Sequence, residues 1–225
     1  MQRHPVDRAL MLYAMAVPDA PREQLADAPL GARNAALMAM RIASFGRQLS
    51  SWFDCSACGE RMEFDLDPSQ LPPEPTGQHE AIAAEPFEVA GHRFHYPTSR
   101  HLARLARFSD PESAARQLLL DCAESAETLP GNESARDRLL AEVEDAIEAG
   151  DPWADLSLQV HCPACGHEDQ ASFDIASYLW EEIDQTVQRL LDDIHTLAGA
   201  YGWPESTILG LSETRRAAYL ARIDA

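Results

Sequence analysis

Residues 47–66 read RQLSSWFDCSACGERMEFDL, and residues 156–173 read LSLQVHCPACGHEDQASF. Each stretch places a CxxC turn between two runs that alternate apolar and polar side chains. Met62, Phe64 and Leu66 alternate with Arg61, Glu63 and Asp65; Leu156, Leu158 and Val160 do the same on the approach to Cys162. Period-two alternation marks strands with one buried face. Two strands joined by a cysteine turn make a knuckle hairpin, and the chain carries two of them. In this reading Phe173 of the second hairpin plays the part of Phe64 in the first.

The turns CSACGE and CPACGH match closely, with Gly59 and Gly166 each following the second cysteine. Glycine there permits the positive φ that such a turn needs. Four thiolates suit a tetrahedral zinc ion, and four protein ligands leave no open position for water, so the site is structural. The expected ligands of one zinc ion are Cys55, Cys58, Cys162 and Cys165. A rubredoxin-like iron centre, a redox dithiol or a site that has lost its metal competes with this reading, but two matching turns are more than a dithiol needs. His161 and His167 flank the second pair and are expected to be surface or supporting groups. The 103 residues between Cys58 and Cys162 require an insertion whose ends meet. Closure entropy grows only slowly with loop length, so this is tolerable.

Outward from the knuckles, helical patterns dominate. Helices are expected over about 7–16 and 31–45, the latter rich in alanine and methionine. Residues 67–78 are proline-rich and read as linker. A small hairpin is expected from Phe87 to Tyr96 about Ala90-Gly91. Thr98, Asp110 and Asn132 are potential caps of helices within 101–108, 112–122 and 133–149, the last ended by Gly150. Asp174 caps a long helix to about Ala200, ended by Gly202. Shorter helices follow Pro204 and Ser212. Cys122, in LLLDCAE, reads as a small buried hydrophobe.

The expected class is α+β, mainly α-helical, with a split zinc ribbon and a helical insertion. The layout is one composite domain over 1–225. The split ribbon comprises 47–66 plus 156–173, the insertion 67–155, and the C-terminal helical segment 174–225.

The net charge is −19 over 225 residues. An acidic surface repels nucleic acid and anionic membranes and attracts basic proteins. Five cysteines are too few for a disulfide scaffold, and no apolar run is long enough to span a bilayer. The N-terminus reads as an amphipathic helix rather than a signal peptide, because Asp7 and Arg8 interrupt the apolar run. A cytoplasmic location is expected.

No phosphate-binding glycine loop, GxSxG or HExxH motif occurs, and the acids lie on helix faces, so no enzyme activity and no small-molecule substrate are expected. His195, beside Asp192 and Asp193, has no nucleophile in view. Near the C-terminus Leu190, Ile194, Leu197 and Tyr201 form a stripe, and Trp203, Arg215, Arg216 and Tyr219 are candidates for contacting a protein partner. The helix-turn-helix spacing there also admits a zinc-ribbon regulator that binds nucleic acid, but two arginines in so acidic a chain make a poor footprint. A general protein-interaction adaptor is the blander alternative.

Two runs carry a resemblance. PLGARNAALMAMRIASFGRQL with CSACGERMEFDL, and FDIASYLWEEIDQTVQRLLDDIHTLAGAYGWPESTILGLSETRRAAYLARI, resemble the zinc-ribbon family of T-even-type phage baseplate hub assembly chaperones and baseplate-associated proteins of contractile injection systems. The resemblance covers about 5–66 and 152–223, and only loosely the middle. It implies a non-enzymatic assembly factor or baseplate component of a contractile phage tail-like system, whose partners are baseplate, hub or spike proteins, and it leaves open whether the protein stays in the finished particle.

Overall fold

The structure, a computed structural model, describes residues 4–66, 71–72 and 85–223. The proline-rich stretch 67–78 lies largely outside them. The chain forms two compact units, Met1–Tyr178 and Leu179–Ala225.

In the first unit, α1 (Pro5–Ala16) packs on α2 (Leu30–Phe45) through Ala9, Leu12 and Tyr13 against an apolar face that includes Leu37 and Met38. Helix α2 has no side-chain cap of its own. Its first amides find partners far along the chain. Leu30 N donates to Pro97 O at 2.9 Å, and Gly31 N donates to Asp151 Oδ2 at 3.0 Å. The knuckle hairpins follow the expected ranges: β1 (Leu49–Asp54) with β2 (Arg61–Leu66), and β5 (Ser157–His161) with β6 (Glu168–Ser172), each antiparallel. Between them lie the short hairpin β3 (Phe87–Val89) and β4 (His92–Phe94), then α3 (Ser99–Leu105), α4 (Pro111–Asp121) and α5 (Glu133–Gly150). Thr98, Asp110 and Asn132 cap the three helices as their positions predict. A core of Phe94, Cys122, Leu129, Leu139, Val143 and Ile147 holds this insertion together. Burial pushes the Cys122 thiol up to about 12, so it is an inert hydrophobe.

Two details differ from the sequence reading. Counted eight residues past the second cysteine of each turn, the partner of Phe173 is Leu66, not Phe64. Six residues before the first cysteines stand Leu49 and Leu156, paired with Leu66 and adjoining Phe173 respectively; all four are buried at the hairpin bases. Gly150 is the last residue of α5 rather than the stop after it. A Cβ there would lie 2.2 Å from Tyr96 Oη, so its small size serves close packing.

Helix α2 also buries polar groups. Arg33 Nε and Nη2 donate to Asn34 Oδ1 at 3.1 and 2.9 Å, and Arg33 Nη1 donates to Ser99 Oγ at 3.0 Å. Asn34 Nδ2 donates to Trp153 O at 2.9 Å. Burial draws the Arg33 pKa down, and the Asp174 carboxylate pushes it back up. The network joins α2 to the start of α3 and to the segment preceding the second knuckle. Replacing Arg33 by alanine orphans Asn34 Oδ1 and Ser99 Oγ in the interior. It should lower unfolding free energy by about 2–4 kcal/mol, read from a denaturant midpoint at unchanged slope.

Helix α6 (Ile175–Tyr201) begins in the first unit and continues into the second. The second unit adds α7 (Glu205–Leu209) and α8 (Glu213–Leu220), with Ser212 as the α8 cap. Gly202, at φ +66°, ends α6 as expected. No helix among the described residues is long and apolar enough to cross a membrane.

Candidate metal centre

Each knuckle is built by the same local bonds. Cys55 N donates to Glu60 O at 2.9 Å and Gly59 N to Cys55 O at 2.8 Å. In the second copy Cys162 N donates to His167 O at 2.8 Å and Gly166 N to Cys162 O at 2.9 Å. Gly59 and Gly166 both adopt φ +74°, a left-handed conformation that a side chain would strain. The sequence repeat is therefore a repeat of backbone geometry.

The two turns face each other. Cys55 Sγ lies 3.8 Å from Cys165 Sγ, and Cys58 Sγ lies 3.7 Å from Cys162 Sγ. All four sulfurs lie within 4.8 Å of one another. A disulfide needs about 2.05 Å between sulfurs, so these are four separate thiols. Metal–sulfur bonds of about 2.3 Å in a tetrahedron put sulfurs about 3.8 Å apart. The spacing fits an ion of that size at the centre. Among the described residues no other group of three or more histidine, cysteine or acidic side chains closes to such distances.

Burial divides the four cysteines. Cys55 and Cys162 are buried with Met62 in a small apolar cluster, whereas Cys58 and Cys165 are exposed. The amide of Cys165 leads in lowering the Cys162 thiol to about 7, with help from Ala164. For Cys58 the Glu60 amide pulls downward, but the surrounding thiols and desolvation outweigh it and push the group up to about 12. Cys165 is likewise raised, although the His167 amide acts against the shift. Four thiols this close cannot all ionise unaided; a cation at their centre would supply the compensating charge.

Neither flanking histidine is among the four clustered side chains, and both are exposed. His167 Nε2 lies 3.3 Å from Ser56 Oγ, and Asp169 Oδ2 accepts from Ser56 N at 3.4 Å. Both contacts cross from one knuckle to the other. His161 is exposed on the β5 edge.

The C-terminal candidates gather in the second unit. Trp203 stacks on Tyr201 at 4.7 Å between centroids and meets Tyr219 edge-on at 4.9 Å. Arg216 donates to Leu211 O at 2.9 Å and lies 3.7 Å from Asp193. These contacts fold α8 back onto the end of α6, above a fully buried Ile208. Arg215 is exposed. The stripe on α6 is longer than Leu190 to Tyr201. Trp180, Ile183, Val187, Leu190, Ile194, Leu197 and Tyr201 recur at alternating steps of three and four, a heptad pattern. Val187 on this seam is 44% exposed, and Leu191 beside it 49%.

The family described as T4 bacteriophage base plate protein matches residues 13–180. No curated protein and no solved structure matches the chain. The matched residues include both knuckles and the whole insertion, where the resemblance in sequence is loose; the C-terminal run beyond residue 180 lies outside them. With three quarters of its length matched, knuckles included, the chain belongs to the T4 bacteriophage base plate protein family.

Proposed function

We propose that this protein is a non-enzymatic, zinc-stapled assembly factor or component of the baseplate of a contractile phage tail-like particle. The observation that carries this reading is the family match across both knuckles. The four cysteines then act as a clamp. Their ion is zinc, bound by Cys55, Cys58, Cys162 and Cys165 in a split ribbon, and it joins β1–β2 to β5–β6 across the helical insertion. All four positions being protein thiolates, the ion has no place for substrate or water.

The protein works through its surfaces, against other baseplate, hub or spike subunits. The half-covered heptad seam of α6 is one such surface, since an apolar stripe at that spacing accepts a second helix. Replacing Val187 and Leu191 together by glutamine, a good helix former that adds no charge beside Asp184 and Asp192, should leave the melting temperature within about 2 °C, because the two are 44% and 49% exposed. The same change should weaken co-purification with baseplate proteins at least tenfold.

The decisive experiment is genetic. Deleting the gene in its phage or injection-system cluster should yield tubes and sheaths that lack baseplates under the electron microscope. Intact particles from the deletion strain would overturn the reading. Peptides of this protein in finished particles mark a component; their absence marks a chaperone.

A further inference from the structure

Between the two knuckle hairpins runs a groove of about 900 Å³. Its walls are consecutive residues of β2, including Arg61, Met62 and Glu63, and of β5, from Ser157 to His161. Consecutive residues of a strand point to opposite faces. A wall made of both sets is therefore a strand edge, not a sheet face. β1 contributes only Phe53 among the described residues, and β6 contributes none.

The main-chain pattern gives the direction of those edges. In an antiparallel pair, opposed residues alternate between bonding each other and pointing their amides away. Cys55 bonds Glu60, so by alternation Met62, Phe64 and Leu66 bond toward β1. Arg61, Glu63 and Asp65 then aim their main-chain groups off the hairpin. Cys162 bonds His167 and Phe173 bonds Leu156, so Ser157, Gln159 and His161 do the same on β5. Among the described residues each hairpin is a sheet of two strands, and neither edge pairs with a third. Two open edges on one groove are a template for an extended chain.

Charge selects the occupant. Glu60, Glu63 and Asp65 line the β2 side. Arg61, the one arginine among them, is already held by Asp54 at 3.0 Å and lies over the Trp52 ring at 3.8 Å. The β5 side offers Ser157, Gln159 and His161, with Leu158 and Val160 half-buried beneath. A second copy of so acidic a chain is a poor match. We propose that the groove binds an extended, basic segment of another protein, which adds as a strand to the open edge of β2 or β5. The ribbon is then a peptide-docking module as well as a clamp, whether or not the protein serves a baseplate.

The test uses the zinc-loaded full-length protein and end-capped octapeptides alternating valine with lysine or valine with glutamate. The lysine peptide should bind and slow hydrogen exchange at Glu63 or Gln159 at least tenfold. The glutamate peptide, and a lysine peptide N-methylated at alternate amides, should each bind at least tenfold more weakly. So should the lysine peptide with the double variant Glu63→Pro, Gln159→Pro, whose zinc content reports whether the hairpins still form. If that variant misfolds, the N-methylated peptide on wild type decides alone. No binding at millimolar peptide, or indifference to N-methylation or to peptide charge, overturns the proposal. So does slow exchange at these amides in the free protein: if independent of concentration the chain closes its own groove, and if it grows with concentration a second copy does.

Discussion

Stripping the metal from the four cysteines is expected to melt both knuckle hairpins while leaving the helices of the insertion folded. Each hairpin has two strands, and such a hairpin is marginal in water by itself. Among the described residues the apolar cluster at the cysteines holds Cys55, Met62 and Cys162 with Phe53 beside it, while the buried Leu49, Leu66, Leu156 and Phe173 lie at the far ends of the hairpins. Burial of that size supplies little, so an ion held by the four thiols would supply most of the local order. An ion present at about 1,000 times its dissociation constant contributes about 4 kcal/mol. Chelation, or Cys162→Ser, should therefore lower the melting temperature by roughly 10 °C or more and speed hydrogen exchange throughout β1, β2, β5 and β6. Exchange in α5 should change far less, because its face packs in the separate Phe94–Val143 core. One equivalent of zinc is expected in wild type and under half in Cys162→Ser. Equal melting and equal exchange with and without metal would show that the hairpins stand without it.

The same change at Cys58 should do less than at Cys162. Cys162 is buried in the apolar cluster, whereas Cys58 faces water. A water can take the ligand position that a missing Cys58 leaves, but it enters the Cys162 side only by displacing packed atoms. The ordering of the two variants in residual zinc separates a closed structural clamp from an open site.

What could be read from the sequence was local, and what could not was distant. Both knuckles were legible because a CxxC turn with glycine after it fixes its own backbone within six residues. The caps at Thr98, Asp110, Asn132 and Ser212 were legible for the same reason: each bonds an amide three residues on. Matching Phe64 with Phe173 failed because it followed aromatic character instead of counting from the turn, where register is set. Gly150 carries the usual mark of a helix stop, yet its reason is the Tyr96 ring, more than fifty residues away. Arg33 and Asn34 sit in a run that reads as an ordinary alanine-rich helix. Only the fold shows that their partners, Ser99 and Trp153, come from elsewhere. The groove was equally hidden, since a strand's open edge is defined by what fails to pair with it.

The start of α2 leads to the second large effect. Gly31→Ala should destabilise the protein by about 2–4 kcal/mol, although alanine is the better helix former by about 1 kcal/mol. An added Cβ would stand 1.5 Å from Asp151 Oδ1, and the same carboxylate accepts the Gly31 amide at 3.0 Å. The side chain of Asp151 cannot yield without leaving a helix-start amide unpaired. Asp151→Ala alone removes that acceptor and should cost about 1–2 kcal/mol, as for a lost cap. In the double variant the Cβ occupies the space the carboxylate vacated, so the cost should fall well below the sum of the two. Simple additivity in denaturant unfolding would mean the two residues are not in contact. Acidity gives an independent reading. Burial raises the Asp151 pKa, with the Gly31 amide partly opposing it. The fold therefore favours the protonated carboxyl; that contribution is full below the unfolded value of about 3.9 and is lost as pH rises through the folded value. Asp151→Asn keeps an oxygen for the Gly31 amide and does not titrate. Its stability relative to wild type should improve from pH 4 to pH 7, and a difference that stays flat across that range would place the carboxylate in water instead of against α2.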